Sequence, residues 1–174
     1  MHEHRISQAL WAPSPHCDDR PDAEISLIVI HGIALPPEQW NPLPVLGFFQ
    51  GHLDCTSDPY FAALQDVRVS SHLVVGRGGD VYQCVRFDQR AWHAGVSEFA
   101  GRPACNDFSI GIELIGPEEG PFTDAQYESL AGICERLCVT YGISPRHIVG
   151  HRDIAPGRKV DPGADFDYAR IRPA

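Results

Sequence analysis

The 174-residue sequence contains nine histidines, and we ask first which of them could share a metal ion. His147 and His151 have the spacing of the two ligands in a helical H-E-x-x-H motif, but Ile148 stands where that motif has glutamate. The residues between them follow Pro145 and favour a strand, on which positions four apart are separated by about 13 Å. A zinc ion needs its ligands at about 2 Å. We therefore do not expect this pair to hold one ion, and we predict that His147 is structural.

A second group of residues has the composition of a catalytic metal site. His31 ends a buried β-branched run and is followed by Gly32, and His151 also ends a short predicted strand. Asp161 follows His151 by ten residues, and a loop of that length can return its carboxylate to the strand end. Two histidines and one carboxylate leave a fourth tetrahedral position open, which is typical of catalytic zinc. Spacing alone is equally compatible with three unrelated polar residues at the rim of a sheet.

Glu113 is the candidate acid–base residue. It lies within residues 108–115, on the face opposite the apolar positions of that alternating segment. A carboxylate there is costly unless the face lines a cleft or the acid has a partner. Desolvation would raise its pKa, as a proton shuttle requires, whereas the other interpretation is an ion pair with an arginine. Lys159, two residues before Asp161, could stabilise a developing oxyanion or be simply exposed.

Trp92 and His93 form the other candidate binding feature, in a loop flanked by Gly95. A Trp–His pair in such a loop can stack on a sugar or a peptide. Aromatic residues in loops also often cover a core, so this signal alone is weak.

The strands that must position these residues follow from the hydrophobic pattern. Residues 25–30 form a continuous apolar run, which is typical of a strand buried on both faces. Residues 67–75 and 81–87 are predicted to form a hairpin, and residues 108–115 a further strand. Residues 147–151 are predicted to be a short strand.

The predicted helices are fewer. Thr123 begins a helix with a capping box, and Gly142 is a suitable residue to end it. Residues 33–60 are predicted to be a long surface segment with one short helix around residues 46–50. A last short helix is predicted from Phe166.

Together these elements predict a single α/β domain, in which a mixed central β-sheet is flanked by helices and long loops lie at one edge. We expect residues 1–24 to form an irregular N-terminal lead-in and residues 25–170 to form the domain. The six cysteines include no C-x-x-C pair, so reduced thiols are expected. Cys134 and Cys138 are predicted to be buried on the helix.

The composition restricts the partners. Fourteen Lys and Arg against 23 Asp and Glu give a formal net charge of −9, which disfavours nucleic acid and anionic membranes as partners. The N-terminus has no apolar segment of signal-peptide length, and no apolar run is long enough to cross a bilayer. We therefore expect a soluble, cytoplasmic protein, with a monomer favoured.

Six segments, taken together and in this order, resemble the N-acetylmuramoyl-L-alanine amidase family. The segments are LIVIHGIALPP, RVSSHLVVGRGGDVYQCV, FDQRAWHAGVS, CNDFSIGIELIG, FTDAQYESL and GHRDIAPGRKVDPGADFD. The resemblance runs from about Trp11 to Tyr168. It is greatest to the cytosolic zinc amidases that act on 1,6-anhydro-muropeptides during cell-wall recycling, and it extends to peptidoglycan recognition proteins. It also implies the mixed-sheet fold of that family.

The resemblance implies roles for five residues. One zinc ion would be held by His31, His151 and Asp161. Glu113 would be the base that activates the attacking water, and Lys159 would help to hold the tetrahedral intermediate.

For the substrate, Arg68 is similar to the family arginine that meets a stem-peptide carboxylate, and Trp92 to a wall of the sugar pocket. Three positions depart from the family pattern. Gly32 replaces a common Asn, Asp58 a common His, and Ala104 a residue that is basic in some members. These departures bear on substrate preference and leave the predicted metal ligands intact.

The implied reaction is hydrolysis of the amide between the lactyl group of (1,6-anhydro-)N-acetylmuramic acid and L-Ala of the stem peptide. The substrate would be a small anhydro-muropeptide. The alternative from another class is a non-catalytic module that binds muropeptide without cutting it. A further alternative keeps the chemistry but shifts the substrate to intact peptidoglycan, as in a phage-type lysin.

Overall fold

A six-stranded mixed sheet forms the centre of the protein in the computed structural model, which describes residues 4–173. The sheet order is first-fifth-fourth-ninth-third-tenth, counting strands along the chain. The strands are β1 (Leu10–Trp11), β2 (Cys17–Asp19), β3 (Leu27–Ile33), β4 (Leu73–Val75), β5 (Val81–Gln83), β6 (Gln89–Ala91), β7 (Glu98–Phe99), β8 (Arg102–Pro103), β9 (Ser109–Ile115) and β10 (Ile148–Gly150). Neighbours in the central sheet are parallel, except for the antiparallel hairpin of β4 and β5. Two small antiparallel ribbons pair β2 with β6 and β7 with β8.

The helices pack on both faces of this sheet. The α-helices are α1 (Pro42–Phe49), α2 (Asp124–Tyr141) and α3 (His151–Ile154). Short 3₁₀ helices span Pro59–Leu64, Cys105–Asp107, Pro145–His147 and Tyr168–Arg170. Helix α2 packs its apolar side, including Leu130, against Ile112 of β9 and its neighbours. Helix α1 packs Phe49 on the opposite face, against Val74 and Ile115. Every residue of β9 is buried, because this strand lies inside the sheet with cover on both sides.

The structure confirms the predicted fold class and the long helix. Thr123 caps α2 with both hydrogen bonds of a capping box, and Gly142 ends the helix in the left-handed conformation, with φ of 68°. The helix predicted near residues 46–50 is α1, which starts earlier because the Asn41 side chain caps it and Pro42 fits its first turn. Its apolar residues are part of the core, so this part of the loop is not only surface.

Several predicted element boundaries were wrong. The lead-in contains β1 and β2, which are two and three residues long and therefore too short for a sequence period to reveal them. The strand predicted over 67–75 is limited to β4, where it pairs with β5 and β9. Of residues 147–151, only β10 is extended, since His147 ends a 3₁₀ turn and His151 begins α3. The last predicted helix is a single 3₁₀ turn, at Tyr168–Arg170. The boundary at residue 25 stays a prediction.

All six cysteines are free thiols, and Cys134 and Cys138 are buried on α2, as predicted. Between residues 4 and 173, no helix is both long enough and apolar enough to span a membrane.

Candidate metal centre

Three parallel strands bring the candidate residues to one edge of the sheet. His31 lies near the carboxyl end of β3, directly opposite Glu113 of β9 in the strand register. Strand β10 pairs with the other side of β3 and ends at Gly150, so His151 emerges beside His31. The loop after α3 then turns back, because the Arg152 N–H donates to the carbonyl of Asp161 over 2.9 Å. The strand pairing and this one loop closure therefore position all the predicted ligands.

Three ligand atoms converge at this edge, from buried His31, His151 and Asp161. The Nδ1 atoms of His31 and His151 are 3.0 Å apart. The Asp161 Oδ2 atom lies 3.3 Å from the first and 3.2 Å from the second. A tetrahedral ion with bonds of about 2.0–2.1 Å separates its ligand atoms by about 3.3 Å. The spacing thus fits three corners of a tetrahedral site.

Hydrogen bonds on the far side of both histidine rings support this assignment. His151 Nε2 lies 3.2 Å from the Ala94 carbonyl oxygen, which can only accept, so the neutral ring carries its proton there. His31 Nε2 lies 3.0 Å from His93 Nδ1. With Nε2 of each ring as the donor, both Nδ1 atoms would present lone pairs to each other and to the Asp161 carboxylate. Acceptors this close repel one another unless a cation lies between them, so the donor set fits a divalent metal.

The protonation states agree with this role. Burial lowers the pKa of His31 to about 4, because it disfavours the charged imidazolium. Burial acts to raise the pKa of Asp161, but the neighbouring histidines outweigh that effect and hold this pKa well below its usual value. A neutral imidazole and an ionised carboxylate are the forms that bind metal.

Glu113 lies next to the three ligand atoms. Its Oε1 atom is 4.0 Å from His31 Nδ1, and the residue is only 8% exposed. Burial, reinforced by the charge of Asp161, raises its pKa well above the usual value, as predicted. The charged groups that act on this pKa are Asp161, Lys159 and Glu118. None is an arginine, and within residues 4–173 no ion pair joins an arginine to Glu113, so the arginine alternative is not supported.

A cavity of about 630 Å³ opens over these groups. Its lining includes the three ligand residues, Glu113, His93 and Lys159. The lining also includes Trp40, Tyr60 and Glu118, which were not predicted from the sequence. These three lie in segments without a regular hydrophobic period, so no local pattern marks them.

Arg68 and Trp92 are not among the described residues that line this cavity. The exposed Arg68 guanidinium donates to the backbone carbonyls of Gln65 and Val67. The Trp92 indole N–H donates to Asp18 over 3.1 Å, and the ring stacks on His16. Their roles in substrate binding stay predictions.

Two further histidines, His93 and His147, have defined partners in the structure. The sequence suggests that His93 stacks on a ligand together with Trp92, and this stays a prediction. In the structure its ring lies against His31 and lines the cavity. His147 is outside the group of ligand atoms, and its Nδ1 hydrogen-bonds the Ser26 carbonyl over 3.0 Å. The structural role predicted for His147 is therefore confirmed.

The structure describes the surroundings of the three departures from the family pattern. A Cβ atom on Gly32 would lie 2.9 Å from the Pro117 carbonyl oxygen, so a neighbouring loop occupies the space of a larger residue. Asp58 caps the 3₁₀ helix that follows it, accepting from the Tyr60 N–H. Ala104 adopts a left-handed conformation, with φ of 60°, just before the Cys105–Asp107 turn.

The mixed sheet places two histidines and a carboxylate beside a buried glutamate at the ends of its strands, an arrangement suited to a metal-dependent hydrolase. The sequence profile of the N-acetylmuramoyl-L-alanine amidase family matches residues 21–164, and the chain belongs to this family.

Three proteins are similar to this chain over nine-tenths or more of its length. The chain is 54% identical over 159 residues to the 1,6-anhydro-N-acetylmuramyl-L-alanine amidase AmpD of Haemophilus influenzae, covering 90% of this chain and 86% of that protein. A crystal structure of a selenomethionine AmpD derivative superposes with a TM-score of 0.95 at 46% identity, covering 99% and 97% of the two chains. The amidase AmiD of Escherichia coli, in complex with anhydro-N-acetylmuramic acid-L-Ala-D-γ-Glu-L-Lys, gives a TM-score of 0.64 at 29% identity and covers 98% and 61%.

Proposed function

We propose that this protein is a zinc-dependent amidase that cleaves 1,6-anhydro-muropeptides in cytoplasmic peptidoglycan recycling. The bond cleaved joins the lactyl group of the anhydro-N-acetylmuramic acid to L-Ala. The observation that carries the proposal is the convergence of three metal-binding atoms with a buried glutamate on one cavity. The substrate class rests on the relatives, whose names describe 1,6-anhydro-N-acetylmuramyl-L-alanine amidases.

Zinc would be held by Nδ1 of His31, Nδ1 of His151 and Oδ2 of Asp161. When bound there, it supplies a Lewis acid that polarises the scissile carbonyl and makes water a better nucleophile at neutral pH.

Glu113 takes the proton of the attacking water and delivers it to the departing L-Ala nitrogen. Both transfers need a carboxyl group whose pKa is near the working pH, and burial raises the pKa of Glu113 in that direction. The side chain lines the cavity beside the ligand atoms, so the proton donor and acceptor stay close to the reacting atoms.

Lys159 places an ammonium group at the same cavity, where it stabilises negative charge on the carbonyl oxygen as the tetrahedral intermediate forms. Its charge also offsets, locally, the net charge of −9 that would repel the carboxylates of a stem peptide. The cavity, at about 630 Å³, lies within the range of about 300–1,000 Å³ usual for small-molecule sites. Arg68 and Trp92 would meet the parts of the muropeptide that extend beyond it.

The test is mass spectrometry of the products after incubation with anhydro-muramyl tripeptide. We expect zinc-loaded protein to release free tripeptide, chelator to abolish the release, and added zinc to restore it. The variant His151→Ala should lose both the metal and the activity. His147→Ala is the matched control, since that histidine lies outside the site, and it should retain both.

Intact muropeptide recovered from protein with verified stoichiometric zinc would contradict the proposal and favour the non-catalytic binding module. Stoichiometric zinc in His151→Ala would contradict the ligand assignment. Cleavage of intact peptidoglycan in preference to the anhydro-muropeptide would move the substrate toward that of a lysin.

A further inference from the structure

We infer that His93 is a positioning residue, which fixes the tautomer and orientation of His31 so that Nδ1 of His31 faces the metal. The inference rests on the metal centre proposed above, but it does not depend on the substrate. His93 is not one of the three ligands, and it acts on the metal only through the ring of His31.

A chain of two hydrogen bonds runs away from the metal site. His31 Nε2 lies 3.0 Å from His93 Nδ1, and His93 Nε2 lies 3.2 Å from the Ser109 hydroxyl oxygen. A neutral imidazole has one N–H and one lone pair. When His31 donates from Nε2 to His93, its Nδ1 is left as a lone pair toward His151 and Asp161. His93 then carries its own proton on Nε2, which Ser109 accepts.

The position of the His93 ring is imposed by β9. A Cβ atom on Gly111 would lie 2.4 Å from the His93 Cγ atom, so the ring rests directly on the strand where glycine leaves room for it. The ring meets His31 edge-on, with centroids 5.0 Å apart and an interplanar angle of 86°. This is the geometry in which a ring nitrogen can accept from the Nε2–H of its neighbour.

Hydrogen bonds also fix the backbone at His93 and Ala94. The Asn106 Oδ1 atom accepts from the N–H groups of His93 and Ala94, over 3.1 and 2.8 Å. The Ala94 carbonyl in turn accepts from His151 Nε2 over 3.2 Å and from Arg158 over 2.6 Å. Residues 93 and 94 therefore supply the outer acceptor for both metal-binding histidines. Of these two acceptors, only the His93 ring can be changed by a side-chain substitution.

Partners of this kind usually matter for metal affinity, because they fix the ring and make it a better donor. If His93 only filled space, its replacement would alter stability without a selective effect on metal binding. The two interpretations therefore differ in a quantity that can be measured without any substrate.

The experiment compares His93→Leu with His93→Asn. Leucine removes the acceptor at similar size, whereas the Asn side-chain oxygen lies near the position of Nδ1 and restores an acceptor. The zinc dissociation constant is measured by competition with a chromophoric chelator, and the visible absorption of the Co²⁺-loaded proteins reports the coordination geometry. Circular dichroism and thermal unfolding of the metal-free proteins check the fold. His147→Leu, at a histidine outside the site, is the matched control.

We expect His93→Leu to weaken zinc binding about 10- to 100-fold and to change the Co²⁺ spectrum. His93→Asn should recover most of the affinity, and His147→Leu should bind like the wild type. Zinc affinity of folded His93→Leu within about twofold of the wild type would overturn the inference.

If His93→Leu does not fold, Ser109→Ala decides, since it removes only the acceptor for His93 Nε2–H. Zinc binding weakened by about threefold or more supports the inference, and unchanged binding overturns it. The outcome is separable from the proposed function, because a wild type that binds zinc but cleaves no muropeptide would refute the function and still permit this comparison.

Discussion

Two carboxylates lie beside His31, and their environments push their pKa values apart. The histidines keep the pKa of Asp161 below its usual value, while burial and the charge of Asp161 raise that of Glu113. Two carboxyl groups whose pKa values are separated in this way can take different roles, one staying ionised and the other exchanging a proton. Asp161 remains ionised and suited to a cation, whereas Glu113 can accept and return a proton.

At this scale we predict that Glu113→Gln retains zinc but lowers kcat by about 100-fold or more, because the amide cannot exchange the proton. Metal content by mass spectrometry and turnover of anhydro-muramyl tripeptide check it. Glu135→Gln, an exposed charge removal on α2, is the control and should leave turnover unchanged. Near-normal turnover of Glu113→Gln would remove this residue from the mechanism, and loss of zinc would make it a ligand.

The metal site depends on the packing of strand β3 against its neighbours as well as on the His31 side chain of that strand. Gly32 follows His31 and faces the segment that begins at Gly116, where the Pro117 carbonyl, the Phe122 ring and Glu118 surround the position of a Cβ atom. Because the nearest of these atoms belongs to the backbone, a side chain at residue 32 requires the whole segment to move. That segment also forms part of the cavity wall.

We predict that Gly32→Ala destabilises the protein by about 1–3 kcal/mol, since the added methyl group overpacks the contact with Pro117. Urea unfolding measures the change. Gly132→Ala on α2 is the control, because a Cβ atom there meets nothing within 4 Å. It should stabilise by about 0.5–1 kcal/mol, as expected for alanine in a helix interior. A neutral Gly32→Ala would show that the 116–122 segment adapts easily.

Elements were predictable where their signal is local. The capping box and apolar period of α2 lie within its own sequence, and the alternation of residues 108–115 marks β9. Strands β1, β2 and β4 have only two or three residues, and they are extended because partner strands pair with them. No window of sequence contains that information.

The same distinction between local signals and contacts of distant segments explains which features of the site could be predicted. Spacing made His31, His151 and Asp161 candidates, but their convergence depends on the pairing of β3 with β10. The register that sets His31 opposite Glu113 is likewise a contact between distant segments. For His93, the sequence marks only a neighbour of Trp92 in a loop, because the space above Gly111 that admits its ring exists only after β9 has joined the sheet.

Across the whole molecule, partly buried hydrogen bonds join the N-terminal segment to the residues around the site. The half-buried Arg20 guanidinium donates to four backbone carbonyls, which belong to Phe87, Asn106, Asp107 and Ser109. The Asn106 side chain accepts a hydrogen bond from the His93 backbone N–H, and the Ser109 hydroxyl hydrogen-bonds the His93 ring. The lead-in is therefore part of the frame around the metal centre, which argues against treating residue 25 as the start of an independent unit.

We accordingly predict that Arg20→Met destabilises the protein by about 2–4 kcal/mol, since it leaves several carbonyls without a donor. Urea unfolding measures this, with Arg136→Met as the control, because exposed Arg136 on α2 makes one long contact of 3.4 Å to Gln8. The control should lie within about 0.5 kcal/mol of the wild type. We also expect the chain from residue 25 onward to unfold at lower urea than the full chain. Equal stability of that shorter chain would mean that the lead-in is a separate appendage, and that the carbonyls bound by Arg20 are satisfied by water once it is gone.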